Sequence, residues 1–211
     1  MSVATSCLAL RGGPKAVQTD PGDIFRWPII TEEDEQAALE VLRAGKMSGI
    51  DVTLEFEKEL AAWHGVEFAL CHNTGTAALH AAMFGCRVGV GDEILCQSLT
   101  YWASALPAFS LGATAVFAEV DPKTLTLDPR DLEHRITDRT KAIMVVHYCA
   151  YPTDMDPILA IARARGLKVI EDVSHAHGGL YKGRLVGTLG DAGAMSIMSG
   201  KALPCGEGGF L

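Results

Sequence analysis

The sequence predicts an α/β fold with a mainly parallel sheet covered by helices on both faces. From residue 66 onward, short apolar runs alternate with helical patterns, and that alternation builds parallel sheets through helical crossovers. The runs, of which AIMVVH at 142–147 is the clearest, are mostly apolar, as strands buried on both faces tend to be. A length of 211 residues with 48% hydrophobic and 7% aromatic content suits one globular domain with a full core.

Residues 1–31 read as irregular, with Gly12, Gly13, Pro14, Pro21, Gly22 and Pro28 as breaks. Thr31 followed by Glu32, Glu33 and Asp34 reads as a helix cap with acidic residues in the first turn. The helix runs to 44, with Ala37, Ala38, Leu39, Val41 and Leu42 as its apolar face and Gly45 as its stop. A second amphipathic helix is expected over 54–64, ended by Gly65. The βα pattern then predicts strands at 66–71, 93–97, 113–118, 142–147, 167–171 and 192–198. Helices are expected at 77–84, 101–111, 128–134 and 156–165.

A net charge of −8 without a Lys/Arg cluster argues against nucleic acid as a partner. No stretch reaches the ~18 apolar residues of a membrane span, and the N-terminal run is too short for a signal peptide. Six cysteines (Cys7, Cys71, Cys86, Cys96, Cys149, Cys205) lack metal-ligand spacing and read as reduced core thiols of a cytoplasmic protein. The chain stops at Gly208, Gly209, Phe210 and Leu211, which reads as the start of a strand, so a fragment is expected.

Ligands in such folds sit at the C-terminal ends of the strands, where four features gather. His72-Asn73-Thr74-Gly75-Thr76-Ala77 opens a helix whose free amides suit a phosphate, although such a turn alone is more often a plain cap. Tyr101 and Trp102 offer adjacent aromatics for stacking or for core packing. Asp172 stands at the tip of a buried strand, where a carboxylate needs a positive partner: a protonated ring nitrogen, a metal, or a helix cap in its place. His175 and His177 alone are thin evidence for a metal, and none is expected. Lys201, on a Gly-bounded turn after the last apolar run, reads in isolation as an ordinary surface lysine. A phosphate turn, an aromatic, a buried carboxylate and an amine in one crevice are together what pyridoxal phosphate needs.

The segments ITEEDEQAALEVLRAGKMSG, FEKELAAWHGVEFALCHNTGTAALHAA, GVGDEILCQSLTYWASA, EVDPKTLTLDP, VIEDVSHAHG and SIMSGKALPCGEGG resemble, nearly end to end, the DegT/StrS-type aminotransferases of sugars and cyclitols, a family of fold type I pyridoxal-phosphate enzymes. The resemblance implies a three-layer sandwich with a mainly parallel mixed sheet, an N-terminal arm at 1–30, a cofactor-binding large domain at 31–211 and a C-terminal small domain outside this chain. It implies that Lys201 holds the cofactor covalently and shuttles a proton, and that Asp172 pairs with the ring nitrogen. It also implies that Thr76, Ala77 and Ser196 hold the phosphate, with Trp102 favoured over Tyr101 for the ring stack. His175 stands where many members have Gln, near the ring oxygen, which leans towards the cyclitol branch; Tyr148, Cys149 and Ala150 replace a segment that often has glycine.

The implied activity is transfer of an amino group from glutamate or glutamine to a keto-sugar or keto-cyclitol by a homodimer, in amino-sugar, aminocyclitol, antibiotic or surface-polysaccharide biosynthesis. A pyridoxal-phosphate lyase and a non-catalytic cofactor-binding regulator share these features. A sister group that dehydrates its substrate has His in place of the lysine, and Lys201 argues against it. A nucleotide-binding domain would need the glycine fingerprint, which is absent.

Overall fold

The elements form where local sequence favours them, and the computed structural model describes residues 8–20, 22 and 26–211. In chain order they are α1 (Glu32–Arg43), α2 (Asp51–His64), β1 (Cys71–His72), α3 (Gly75–Gly85), β2 (Glu93–Gln97) and α4 (Pro107–Ser110). There follow β3 (Thr114–Ala118), α5 (Pro129–Arg135), β4 (Thr140–Val146), α6 (Met155–Arg165), β5 (Lys168–Asp172), β6 (Leu180–Tyr181), β7 (Arg184–Leu185), β8 (Ala192–Ser196) and β9 (Gly209–Phe210). Cys7, Pro21 and parts of the N-terminal arm lie outside the described residues.

One seven-stranded mixed sheet has the order β1-β9-β8-β5-β4-β2-β3. The pairs β3–β2, β2–β4, β4–β5 and β5–β8 are parallel, while β9 runs antiparallel to both β8 and β1. The period of two along each strand divides the core. Ile94, Cys96, Ala142, Met144 and Ile170 face Leu79, Ala82 and Met83 of α3. Leu95, Ile143, Val145 and Val169 face Leu132 of α5 and Met155 and Ile158 of α6. Side chains of both parities are therefore buried, which is why these strands read as unbroken apolar runs. The mainly parallel mixed sheet and its three layers are as expected.

Several expectations need correction. The run at 66–71 is not a buried strand: it pairs only at its end, Leu70 with Leu211 and Cys71–His72 with Gly209–Phe210, and Val66, Phe68 and Leu70 are exposed. It is an edge segment, bonded to the antiparallel β9. The helix expected over 101–111 is broken into a 3-10 turn at Trp102–Ser104 and the short α4. Pro107 has no amide to donate and takes the first position of the new helix. The helix α1 forms with its capping box, Thr31 and Asp34 exchanging hydrogen bonds, but none of its residues is buried among the described residues, and of its apolar face only Val41 is partly covered. Of the described cysteines only Cys86 and Cys96 are buried, while Cys149 and Cys205 are exposed. The hairpin of β6 and β7 was not foreseen.

Candidate active site

A cleft of about 410 Å³ opens at the C-terminal ends of the parallel strands, between α3 and the loop joining β8 to β9. Its walls include Thr76, Asp172, His175, Ser196 and Lys201. These five residues come from three separate stretches of chain, and the parallel order of β5 and β8 brings their tips side by side.

The helix α3 enters on Thr74, whose hydroxyl accepts from the Ala77 amide at 3.0 Å. The expected roles divide accordingly. Thr74 is the cap, Thr76 lines the cleft, and Ala77 does not line it, its amide being committed to the cap. Gly75 and Thr76 occupy the first turn, whose amides have no carbonyl one turn back. Gly75 is needed there for close approach: a Cβ would stand 2.5 Å from the Ser196 Cβ and 2.8 Å from its Cα. Gly75→Ala is expected to cost about 2 kcal/mol through forced separation of α3 and β8. It would be read as a lower urea midpoint, and an unchanged midpoint would contradict the packing described.

Asp172 ends β5 and is 5% exposed. Its Oδ2 accepts from Ser104 Oγ at 2.7 Å and its Oδ1 from the Ser174 amide at 3.1 Å. Among the described residues no Lys, Arg or His forms an ion pair with it. Ser174 also accepts from the Ser196 amide at 3.0 Å, tying the two strand tips together.

Lys201 is half-buried on the β8–β9 loop. The loop is closed by bonds from Ser199 N to Gly206 O and from Cys205 N to Ile197 O, both 2.8 Å. The lysine's own main chain is held twice, its amide donating to Met198 O at 2.8 Å and its carbonyl accepting from Trp27 Nε1 at 2.9 Å.

Tyr101, not Trp102, lines the cleft. Trp102 begins the 3-10 turn and is 52% exposed, with its ring beside that of Tyr101 at 4.9 Å between centroids. Both rings are more than half exposed, Tyr101 at 58%, and of the two only Tyr101 borders the cleft. The histidines also part company. His175 lines the cleft, with its ring 5.6 Å from Tyr148. Burial and then the nearby Lys201 hold it below the usual histidine range, against the pull of Asp172. His177 turns its Nε2 to the Ser196 carbonyl at 2.8 Å and lines a neighbouring apolar groove. The two rings thus serve different neighbours. Cys149 and Ala150, where the resemblance has glycine, both adopt left-handed φ angles of 49° and 65°, a strained choice for residues with a Cβ.

Sequence reasoning did not find Ser104, Ser174 or Glu207, although Ser104 and Ser174 bond the Asp172 carboxylate and Glu207 lines the cleft. Nothing local marks Ser104, which is 68 positions from its partner. Ser174 could have been found as an amide two residues beyond an Asp, a common local turn. The assembled cleft suits a planar ligand with an anionic tail at α3, a cationic group at Asp172 and a group reactive towards an amine at Lys201.

Among the described residues no helix is long and apolar enough to cross a membrane. Residues 28–211 match the model of the DegT/DnrJ/EryC1/StrS aminotransferase family. The chain is 43% identical over 187 residues to the spore coat polysaccharide biosynthesis protein SpsC of Bacillus subtilis, covering 89% of this chain and 48% of that protein. It is 39% identical over 213 residues to the L-glutamine:scyllo-inosose aminotransferase of Streptomyces griseus, covering 98% of this chain and 50% of that enzyme. The putative sugar aminotransferase Spr1654 of Streptococcus pneumoniae, solved in its PLP form, superposes with a TM-score of 0.84 at 29% identity, covering 87% of this chain and 51% of the other. The chain thus spans about half the length of the curated relatives it matches. With the match extending over the whole sheet and the cleft at its strand ends, the chain belongs to the DegT/DnrJ/EryC1/StrS aminotransferase family.

Proposed function

We propose that this chain carries the cofactor-binding part of a pyridoxal 5′-phosphate-dependent aminotransferase that moves an amino group from glutamine or glutamate to a keto-cyclitol or keto-sugar. The observation that carries the reading is the buried Asp172 carboxylate, which has no cationic partner among the described residues and faces the same cleft as Lys201. A buried carboxylate in that condition is completed by a positive group, and a protonated pyridine ring is one. The opening turn of α3 fits the other end of such a ligand, because Gly75 and Thr76 present first-turn amides and Gly75 lacks a Cβ. The residues present therefore fit the cofactor. The names of the Streptomyces griseus and Bacillus subtilis relatives support a cyclitol or polysaccharide-sugar acceptor, with glutamine as donor.

When bound, pyridoxal phosphate supplies an aldehyde that condenses with amines and a protonated ring that withdraws electrons from the substrate carbon. The protein's part is binding and proton handling. Asp172 would hold the proton on the ring nitrogen, Thr76 and Ser196 would hold the phosphate, and Tyr101 would cover the ring. His175 would stand beside the ring oxygen, and its burial disfavours the protonated imidazole. Lys201 Nζ would take up and hold the proton removed from the substrate carbon. The full-length protein is read as a cytoplasmic homodimer with small-molecule partners only.

The test is a half-reaction in the full-length protein loaded with pyridoxal phosphate. Glutamine or glutamate is expected to shift the absorption band of the bound cofactor, and a keto-inositol or keto-sugar to restore it. A band that does not respond to either donor would leave a cofactor-binding protein without transfer. Release of ammonia and a keto acid without an acceptor would replace the reading with a lyase.

A further inference from the structure

We infer that Thr100 and Ser104 form a directed hydroxyl relay that holds the back of the Asp172 carboxylate, making Ser104 a positioning residue for the cofactor's ring nitrogen. The inference rests on the reading that pyridoxal phosphate occupies the cleft. Ser104 is fully buried, and its Oγ lies 2.7 Å from Asp172 Oδ2. An ionised carboxylate only accepts, so Ser104 donates. The single hydroxyl proton of Ser104 is then committed. In the 2.7 Å contact between Thr100 Oγ1 and Ser104 Oγ, Thr100 must therefore be the donor. The direction of the chain is fixed: Thr100 to Ser104 to Asp172.

The relay starts at the cleft wall, which Thr100 lines, and ends behind the carboxylate. Successive hydroxyl donors polarise one another in a buried setting. Ser104 fills a lone pair of Oδ2 while the Ser174 amide fills one of Oδ1. The carboxylate cannot rotate without breaking a bond on each oxygen, so its remaining lone pairs are presented to the cleft in one orientation. The 3-10 turn that displaced the expected helix is what delivers Ser104: its amide donates to Tyr101 O at 3.1 Å, placing the aromatic wall and the relay on one short piece of backbone.

The role is selective for one atom of the ligand, and the test uses that selectivity. Affinities for pyridoxal phosphate and for its 1-deaza analogue, which has carbon in place of the ring nitrogen, are measured on the full-length apoprotein. Asp172 distinguishes the two ligands only when it is correctly oriented. Ser104→Ala is expected to lower the ratio of the two affinities about tenfold, by loss of a hydrogen bond to a charged group. Thr100→Val keeps the Ser104 bond and is expected to lower the ratio about threefold. Ser104→Thr restores the hydroxyl and most of the ratio. Thermal unfolding of each apoprotein tells a folding defect from a binding one, and a general loosening of the cleft would weaken both ligands equally. An unmodified protein that discriminates, beside a Ser104→Ala variant with an unchanged ratio, overturns the relay alone. An unmodified protein that retains no pyridoxal phosphate overturns the cofactor reading and the relay with it.

Discussion

Lys201→Ala in the full-length protein is expected to lower the glutamine half-reaction by at least about 10³-fold, the contribution of a positioned proton-transfer group. Lys201 is the only lysine lining the cleft among the described residues, so no neighbouring amine can take over. The loss should be chemical and not structural. The lysine's main chain is held by Met198 O and Trp27 Nε1, bonds that do not involve its side chain, so stability should change by no more than about 0.5 kcal/mol. Lys201→Arg separates charge from proton transfer. A guanidinium keeps the positive charge but stays protonated at all working pH values, so this variant is expected to be as slow as the alanine one. Rapid-mixing absorbance at saturating glutamine checks both. A rate within tenfold of the unmodified protein in either variant would remove Lys201 from the chemistry.

The second large effect concerns stability, at Glu171. This carboxylate and the His147 ring are both fully buried, with His147 Nε2 and Glu171 Oε2 3.0 Å apart. His147 Nδ1 accepts from the Thr153 amide at 3.1 Å, so the ring proton sits on Nε2 and is donated to Glu171. Three amides complete the shell: Gly187 at 2.8 Å and Leu189 and Gly190 at 2.7 Å. One side chain thus ties the end of β4, β5 and the loop before β8 together, next to Asp172. Glu171→Gln puts a donor where several donors already converge. It is expected to cost about 3 kcal/mol, or about 6–12 °C in melting temperature for a chain of this size.

The pH dependence follows from the same group. Burial pushes the Glu171 carboxyl up, but the His147 ring and the Gly187 and Gly190 amides outweigh it and hold it below its ordinary value of 4.5. A carboxylate whose folded value is depressed contributes stability above its unfolded value, and that contribution is lost as pH falls through the folded one. The unmodified protein should therefore lose stability steadily below about pH 4.5, and Glu171→Gln should flatten that part of the curve. Melting temperatures from pH 7 to pH 3 check this. Parallel acid limbs in the two proteins would show that Glu171 is not the group responsible.

How much was legible follows from where each residue's information lies. The strands β2, β4 and β5 were readable because each is buried on both faces, and double burial leaves a short, mostly apolar run between turns. Asp172 was readable because it ends a buried run, and Lys201 because it follows the last run on a glycine-bounded turn in company with the other three features. The exposed segment at 66–71 looked like the others in composition, and its exposure goes with its position at the sheet edge. Composition does not carry that position.

The amino-acid sequence by itself determined the α/β alternation, the strand tips that carry Asp172 and Ser196, the lysine on its glycine-bounded turn and the membership of a cofactor-using family. Only the tertiary structure decided that Tyr101 and not Trp102 faces the cleft, that Ala77 serves the cap, and that Ser104 stands behind Asp172. The physical reason is range. Periodicity and capping act over a few residues, whereas the Ser104–Asp172 bond joins positions 68 apart and exists because strand order lays β4 between β2 and β5. A proline-broken turn then aims a single hydroxyl inward.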